Sequence, residues 1–303
     1  MILVVVMYAA FAATFSLAKI AMGYVASPLF FIALRMCVAG VGMTTAALAF
    51  NQTGPEITRK DVRDIFLAGF FAIFVAFGAE FWSLQYVSSI KVNIFYSLSP
   101  FMTALLAYSF GAEQISWRKL LGLSIGFLGM LPLALPAVNT ASTNVLPTNV
   151  YDLALLVSVG SAAYAWFIIK RLMVRGYPLL LINGLMTLIG GAMCALAHGV
   201  ISYTSQATFI PNVSSWSAML MCMSALILIS NVFGYTMYGF LLRRYSMTFL
   251  SFSGFMCPLF GLMYSYFFMN EPLSWMYALA LACVFAGLSL FYWDEQATMR
   301  IKN

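Results

Sequence analysis

Charge is scarce in this sequence. Only 8% of its 303 residues are Asp, Glu, Lys or Arg, while 63% are apolar; a soluble domain carries roughly 25% charged residues. A water-soluble chain of this length needs far more polar surface, so a soluble globular fold is excluded. Histidine occurs once, at His198, and the chain has no H-E-x-x-H string and no aspartate pair placed as a catalytic dyad. A membrane enzyme therefore finds no titratable constellation to work with. No cofactor motif and no metal-ligand spacing is present. The five cysteines (Cys37, Cys194, Cys222, Cys257, Cys283) are odd in number, lie in apolar segments and show no C-x-x-C spacing. They are expected to be buried thiols, not a disulfide framework. The start of the chain lacks a basic n-region and a cleavage site, so its first apolar segment is expected to be a retained helix. The net charge of +6 forms no contiguous basic patch, which argues against nucleic acid as a partner.

What the sequence does have is long apolar runs. A bilayer core of ~30 Å takes about 20 helical residues, and stretches near that length run 2–24, 28–50, 62–84, 90–110, 118–137, 152–170, 178–201, 216–241, 247–269 and 274–293. Turn and charge signals separate them: Ser27-Pro28, Asn51–Arg63, Gly111–Lys119, Tyr177-Pro178 and Asn270-Glu271-Pro272. The expected fold class is an all-α membrane protein of ten transmembrane helices. The polar stretch around 139–150 divides it into halves at 1–138 and 151–303.

Basic residues orient the spans. With the N-terminus inside, Arg59, Lys60, Arg63, Arg118, Lys119, Lys170, Arg171, Arg175, Arg243, Arg244, Arg300 and Lys302 all fall on the cytoplasmic side, out of 15 Lys and Arg. Only Lys91 falls outside, and Lys19 and Arg35 lie within spans. By the positive-inside rule both termini are cytoplasmic and the membrane is the inner one.

Sliding the chain by 158 positions places Pro100 on Pro258, Tyr108 on Tyr266, Glu113 on Glu271, Ser116-Trp117 on Ser274-Trp275 and Gly129 on Gly287. The halves are thus repeats. Because each holds five spans, the second enters the membrane inverted. Inverted repeats with interrupted helices at matching positions are a design of secondary transporters, with substrate near the midplane. Pro100 and Pro258 supply such matched interruptions and are expected to break or gate their helices, although prolines are common in membrane helices anyway.

Ionisable groups inside spans need a wet cavity or a partner, since a charge at the bilayer centre costs ~2.5–3.5 kcal/mol on insertion scales. Four occur: Lys19, Arg35, Glu80 and Lys91. Lys91 can snorkel to the interface; Lys19 and Arg35 can do the same or bind helix carbonyls. Glu80 has a short stem and must either join a site or pair with Lys19 or Arg35. The slide maps it onto Tyr238, so the repeat symmetry is broken there. Trp82, Asn93, Tyr96, Trp166, Asn231, Tyr235 and Tyr238 are candidates to complete a substrate site. Asn231, Tyr235 and Tyr238 share one helical face, which as an aromatic stripe also suits packing or an interface belt. His198 is expected at the outer interface.

The residues resemble the EamA-type members of the drug/metabolite transporter superfamily over nearly the whole chain. The likeness is strongest in Tyr86–Leu131, through Ser-Leu-Ser-Pro100 and Gly-Ala-Glu113, and recurs in Tyr245–Leu290 with Pro258, Asn-Glu271 and Gly287. Lys19, Ser-Pro28 and Arg35 fit it too. The opening Phe-Ala-Ala-Thr-Phe-Ser-Leu-Ala-Lys19 is similar to S-adenosylmethionine carriers of that superfamily. The resemblance implies ten helices, a central cavity shared by both halves, and alternating access; Glu80 departs from the general pattern.

The expected function is secondary transport of a small polar metabolite across the inner membrane, either an amino acid-like zwitterion or an organic cation such as S-adenosylmethionine. A carboxylate among aromatics suits an organic cation; Arg35 or Lys19 would face the carboxylate of a zwitterion. The expected partners are the substrate and the lipid bilayer, with a homodimer left open. A non-transporting scaffold or sensor, a channel and a membrane enzyme are the competing classes.

Overall fold

The structure is a computed structural model that describes residues 2–52, 54–87, 92, 95–111, 116–140, 149–269 and 275–302. The described residues form helices α1 (Ile2–Met22), α2 (Pro28–Ala49), α3 (Arg59–Leu84), α4 (Ser99–Ser109), α5 (Trp117–Thr140), α6 (Val150–Val174), α7 (Leu179–Thr204), α8 (Trp216–Leu241), α9 (Met247–Ser253), α10 (Met256–Met269) and α11 (Trp275–Lys302). Six of them, α1, α2, α3, α6, α7 and α8, are each long and apolar enough to cross a membrane. The ninth span is split into α9 and α10, and the fourth is entered through a turn at Ser97 and Leu98 that precedes α4.

Helix starts follow the local chemistry. An oxygen of Ser27, Thr58, Asn149, Ser215 and Ser246 accepts a backbone N–H at the head of α2, α3, α6, α8 and α9. These side chains satisfy donors that would otherwise be orphaned. At α3 the cap is reciprocal, because the Asp61 carboxylate accepts the Thr58 N–H at 3.0 Å.

Packing joins the two halves. α2 lies along α7, and α5 along α11; α3 packs on α6, as α1 does on α8; α4 meets α6, and α1 meets α10. Each pairing has its counterpart in the other half, as two inverted five-helix repeats require. Lipid supplies no hydrophobic drive between helices, so contact rests on close approach at small residues. A Cβ at Gly190 would sit 2.3 Å from Ile73 Cβ and 2.6 Å from the Gly69 carbonyl oxygen. At the α5–α11 seam, one at Gly122 would sit 2.7 Å from the Gly287 oxygen.

Two features were not anticipated. The backbone widens to π-helix over Phe70–Val75 in α3 and over Ile227–Gly234 in α8. The slide of 158 puts Phe70 on Leu228, so these distortions are matched as the prolines are. Pro100 occupies the first turn of α4, and Pro258 lies in the first turn of α10, just after the break at Gly254 and Phe255. Proline is tolerated there because those N–H groups lack helical partners anyway.

Replacing Gly190 with Leu is expected to lower the melting temperature of the purified protein steeply, since overpacking alone costs ~1–3 kcal/mol and here backbone stands in the way. Gly42, whose Cβ would meet nothing within 4 Å, is the control: Gly42→Leu should melt as the parent does.

Candidate functional site

A cavity of about 170 Å³ lies between the halves. Each of the four backbone irregularities gives it a lining residue: Ala72 from the π turn of α3, Ser230 from that of α8, Ser99 at the start of α4, and Gly254 at the α9–α10 break. Irregular backbone at membrane depth is tolerated where it borders a cavity or protein, not lipid. π turns also concentrate at functional sites.

Glu80 is the acidic residue of the lining, and it is buried at 5% exposure. The Tyr96 hydroxyl oxygen lies 2.6 Å from Glu80 Oε2, within hydrogen-bond distance. That hydroxyl also lies 3.1 Å from Ser158 Oγ, which donates to the Ala76 carbonyl at 2.8 Å. The lining also holds an aromatic group. Trp166 and Tyr238 are stacked with ring centroids 4.2 Å apart at 33°, and Tyr235 sits edge-on to Trp166 at 5.5 Å. Phe77 and Phe15 extend this wall. A hydroxyl cluster closes another side, where Ser99 Oγ is 2.7 Å and Thr103 Oγ1 3.1 Å from Ser251 Oγ. The lining thus brings together one carboxyl, the rings of Trp166, Tyr235 and Tyr238, and the hydroxyls of Ser99, Thr103 and Ser251. Among the described residues no group of three or more His, Cys, Asp and Glu that would hold a metal is present.

The other candidates lie elsewhere. Lys19 is absent from the lining; its Nζ donates to the Leu84 carbonyl and, at 3.0 Å, to that of Val87. It thus caps the C-terminal end of α3, where orphan carbonyls and the helix dipole favour a cation. Arg35 is 1% exposed and sits behind Phe77, its guanidinium carbon 5.4 Å from the ring centre. Its Nε and one Nη donate to Asn231 Oδ1 at 3.1 and 2.9 Å. Arg35 and Asn231 therefore hold α2 to α8 and do not face the chamber. Neither Lys19 nor Arg35 comes within ion-pair distance of Glu80 among the described residues. Trp82, 38% exposed, borders a separate pocket near His198. Asn93 and Lys91 lie outside the described residues.

His198, expected at the interface, is instead buried. Its Nε2 is 2.8 Å from the Phe209 carbonyl, which can only accept, so Nε2 carries the proton and Nδ1 accepts from Ser27 Oγ at 3.0 Å. The ring ties the loop before α8 to the start of α2.

Sequence reasoning also missed an ion cluster. Asp61 and Asp64 on α3 are buried, and Arg175, just beyond α6, reaches both, at 2.6 and 3.0 Å; Arg171 binds Asp64 at 2.8 Å. The Tyr177 hydroxyl donates to Asp61 at 2.9 Å. Burial, then that bond to a carboxylate, pushes the Tyr177 phenol above its ordinary range. The cluster fastens α3 to α6 at the end where α3 begins. The i, i+3 spacing of Asp61 and Asp64 was its one signal in the sequence.

Asn231→Ala should leave the buried guanidinium short of its acceptor and lower stability by ~1.5–3 kcal/mol, the weight of a hydrogen bond to a charged group. The melting temperature of the purified protein measures this; an unchanged value would mean that the tie between α2 and α8 does not depend on Asn231.

A family model described as "EamA-like transporter family" matches residues 1–135 and 149–293. A protein of Chlamydia muridarum named "S-adenosylmethionine/S-adenosylhomocysteine transporter" is 29% identical over 285 residues, 93% of this chain and 88% of the relative. A protein of the same name from Chlamydia trachomatis serovar L2 is 27% identical, over 93% of this chain and 85% of its own. One crystal structure superposes with a TM-score of 0.72 at 17% identity, covering 100% of this chain and 97% of the other; at that identity it shows the fold alone.

Proposed function

The chain belongs to the EamA-like transporter family, and from that premise we propose that it carries S-adenosylmethionine, and its neutral product S-adenosylhomocysteine, through the chamber at Glu80. It is a multi-pass membrane protein and a secondary transporter of small metabolites, not an enzyme. The substrate reading rests on one observation: Glu80, Trp166, Tyr235 and Tyr238 line the same cavity. A sulfonium cation is held by a carboxylate and by aromatic faces, the latter worth ~2 kcal/mol when desolvated. An adenine ring stacks on an indole, and the three hydroxyls can bond the ribose or the amino acid end. The names of the relatives agree with this chemistry.

An amino acid-like zwitterion is the weaker reading, because among the described residues no basic side chain is on the lining to meet its carboxylate. The membrane is the inner one, with both termini cytoplasmic: Arg59, Lys60, Arg63, Arg171, Arg175, Arg243 and Arg244 cluster at the span ends assigned inside.

Isotope counterflow in proteoliposomes tests the proposal. Labelled S-adenosylmethionine should accumulate against an internal pool of either compound. Trp166→Ala should weaken its binding about thirtyfold, the equivalent of the ~2 kcal/mol above. Counterflow of neither compound, with no thermal stabilisation by them, would overturn the substrate reading.

A further inference from the structure

The Glu80 network raises a question of proton supply. Three contacts run in series, from Glu80 to Tyr96 (2.6 Å), from Tyr96 to Ser158 (3.1 Å) and from Ser158 to the Ala76 carbonyl (2.8 Å). The last group can only accept. If Glu80 is ionised it too can only accept, and the two hydroxyls bring two protons to three contacts. One link, between Tyr96 and Ser158, is then two oxygens with no hydrogen between them. If Glu80 carries a proton, every link is filled: Glu80 donates to Tyr96, Tyr96 to Ser158, Ser158 to Ala76. Buried polar groups are overwhelmingly satisfied, and a filled chain is strengthened by its own polarisation.

The surrounding charges leave room for either state. From α2, Arg35 is spent on Asn231, the Leu226 carbonyl and the Phe77 face. From α1, Lys19 is spent on carbonyls at the end of α3. Tyr235 comes from α8, and Asp152 stands near the start of α6, with its N–H on Asn149. None is an ion-pair partner of Glu80 among the described residues.

We infer that Glu80 is a proton site of the transport cycle: it holds a proton when the chamber is empty or holds a neutral solute, and releases it when an organic cation enters. The inference rests on the substrate reading above. Proton and cation then compete for one carboxyl, and the charge of the chamber is the same with the sulfonium bound as with its neutral thioether bound. The proton leaves to water on the side from which the cation enters. It is taken up again on the side where the cation departs, and returns with the thioether. Exchange of the two compounds is thereby electroneutral, with one proton moving opposite to each cation.

Difference infrared spectroscopy of the purified protein in lipid reads the carboxylic-acid carbonyl directly. At neutral pH the ligand-free protein should show a band that Glu80→Gln removes and Ser158→Ala shifts, because the latter deletes the hydroxyl that accepts from Tyr96. Gln can donate to Tyr96 as the protonated acid does, so that variant should keep its melting temperature. S-adenosylmethionine should abolish the band and release about one proton per molecule bound, and its affinity should rise about tenfold per pH unit until Glu80 is ionised when empty. S-adenosylhomocysteine should bind with neither effect. Identical spectra for the parent and Glu80→Gln, or a band that survives saturation with S-adenosylmethionine, would overturn the inference. A band at Glu80 with binding of neither compound supports the proton site and sinks the substrate reading alone.

Discussion

Within the hydrocarbon layer a backbone group that leaves its helix has no water to turn to, and this constraint organises the molecule. Among the described residues the spans depart from regularity at four places, the π turns of α3 and α8 and the breaks before α4 and within the ninth span. All four border one cavity. The site thus exists where the chain could be irregular, and the inverted repeat supplies each irregularity twice.

Function depends on where that symmetry fails. Glu80 corresponds to Tyr238 under the slide, so one repeat gives the chamber a carboxyl where the other gives it an aromatic ring. Arg35 and Asn231 correspond to Met193 and Ile73, so one polar tie between α2 and α8 has an apolar counterpart. Asp61 and Asp64 correspond to Met219 and Cys222, so α3 is fastened to α6 by charge where α8 meets α1 through apolar side chains. The helical shell repeats, and the side chains it encloses do not.

Much of the shell was legible in the residues because lipid imposes length and composition on a span. The expected 28–50 and 216–241 differ from α2 and α8 by a residue at most. Glu80, Tyr96, Tyr235, Tyr238 and Trp166 were named from sequence and share the chamber. Lys19, Arg35 and Asn231 were named for the same reason, being polar at membrane depth, yet they serve helix ends and helix pairs. Depth is written in the sequence; the acceptor that meets a side chain is a property of the packing. The π turns have no residue signature, and hydroxyls such as Ser99 and Ser251 are too common in apolar helices to single out. A lone imidazole near a span end, such as His198, looks the same in the sequence whether it faces headgroups or a loop carbonyl.

The acidic–basic clasp between α3 and α6 is lopsided in its access to water. Asp61 and Asp64 are sealed, at 5% and 0% side-chain exposure, whereas Arg175 and Arg171 are 35% and 49% open. A fully enclosed pair would be indifferent to dissolved ions, but this one is partly bathed by them, with a screening length of ~8 Å at physiological strength. The firmness of that end of the bundle is therefore tied to the salinity of the compartment it faces. Higher ionic strength on that side loosens the hold between two helices and leaves the lining of the chamber untouched.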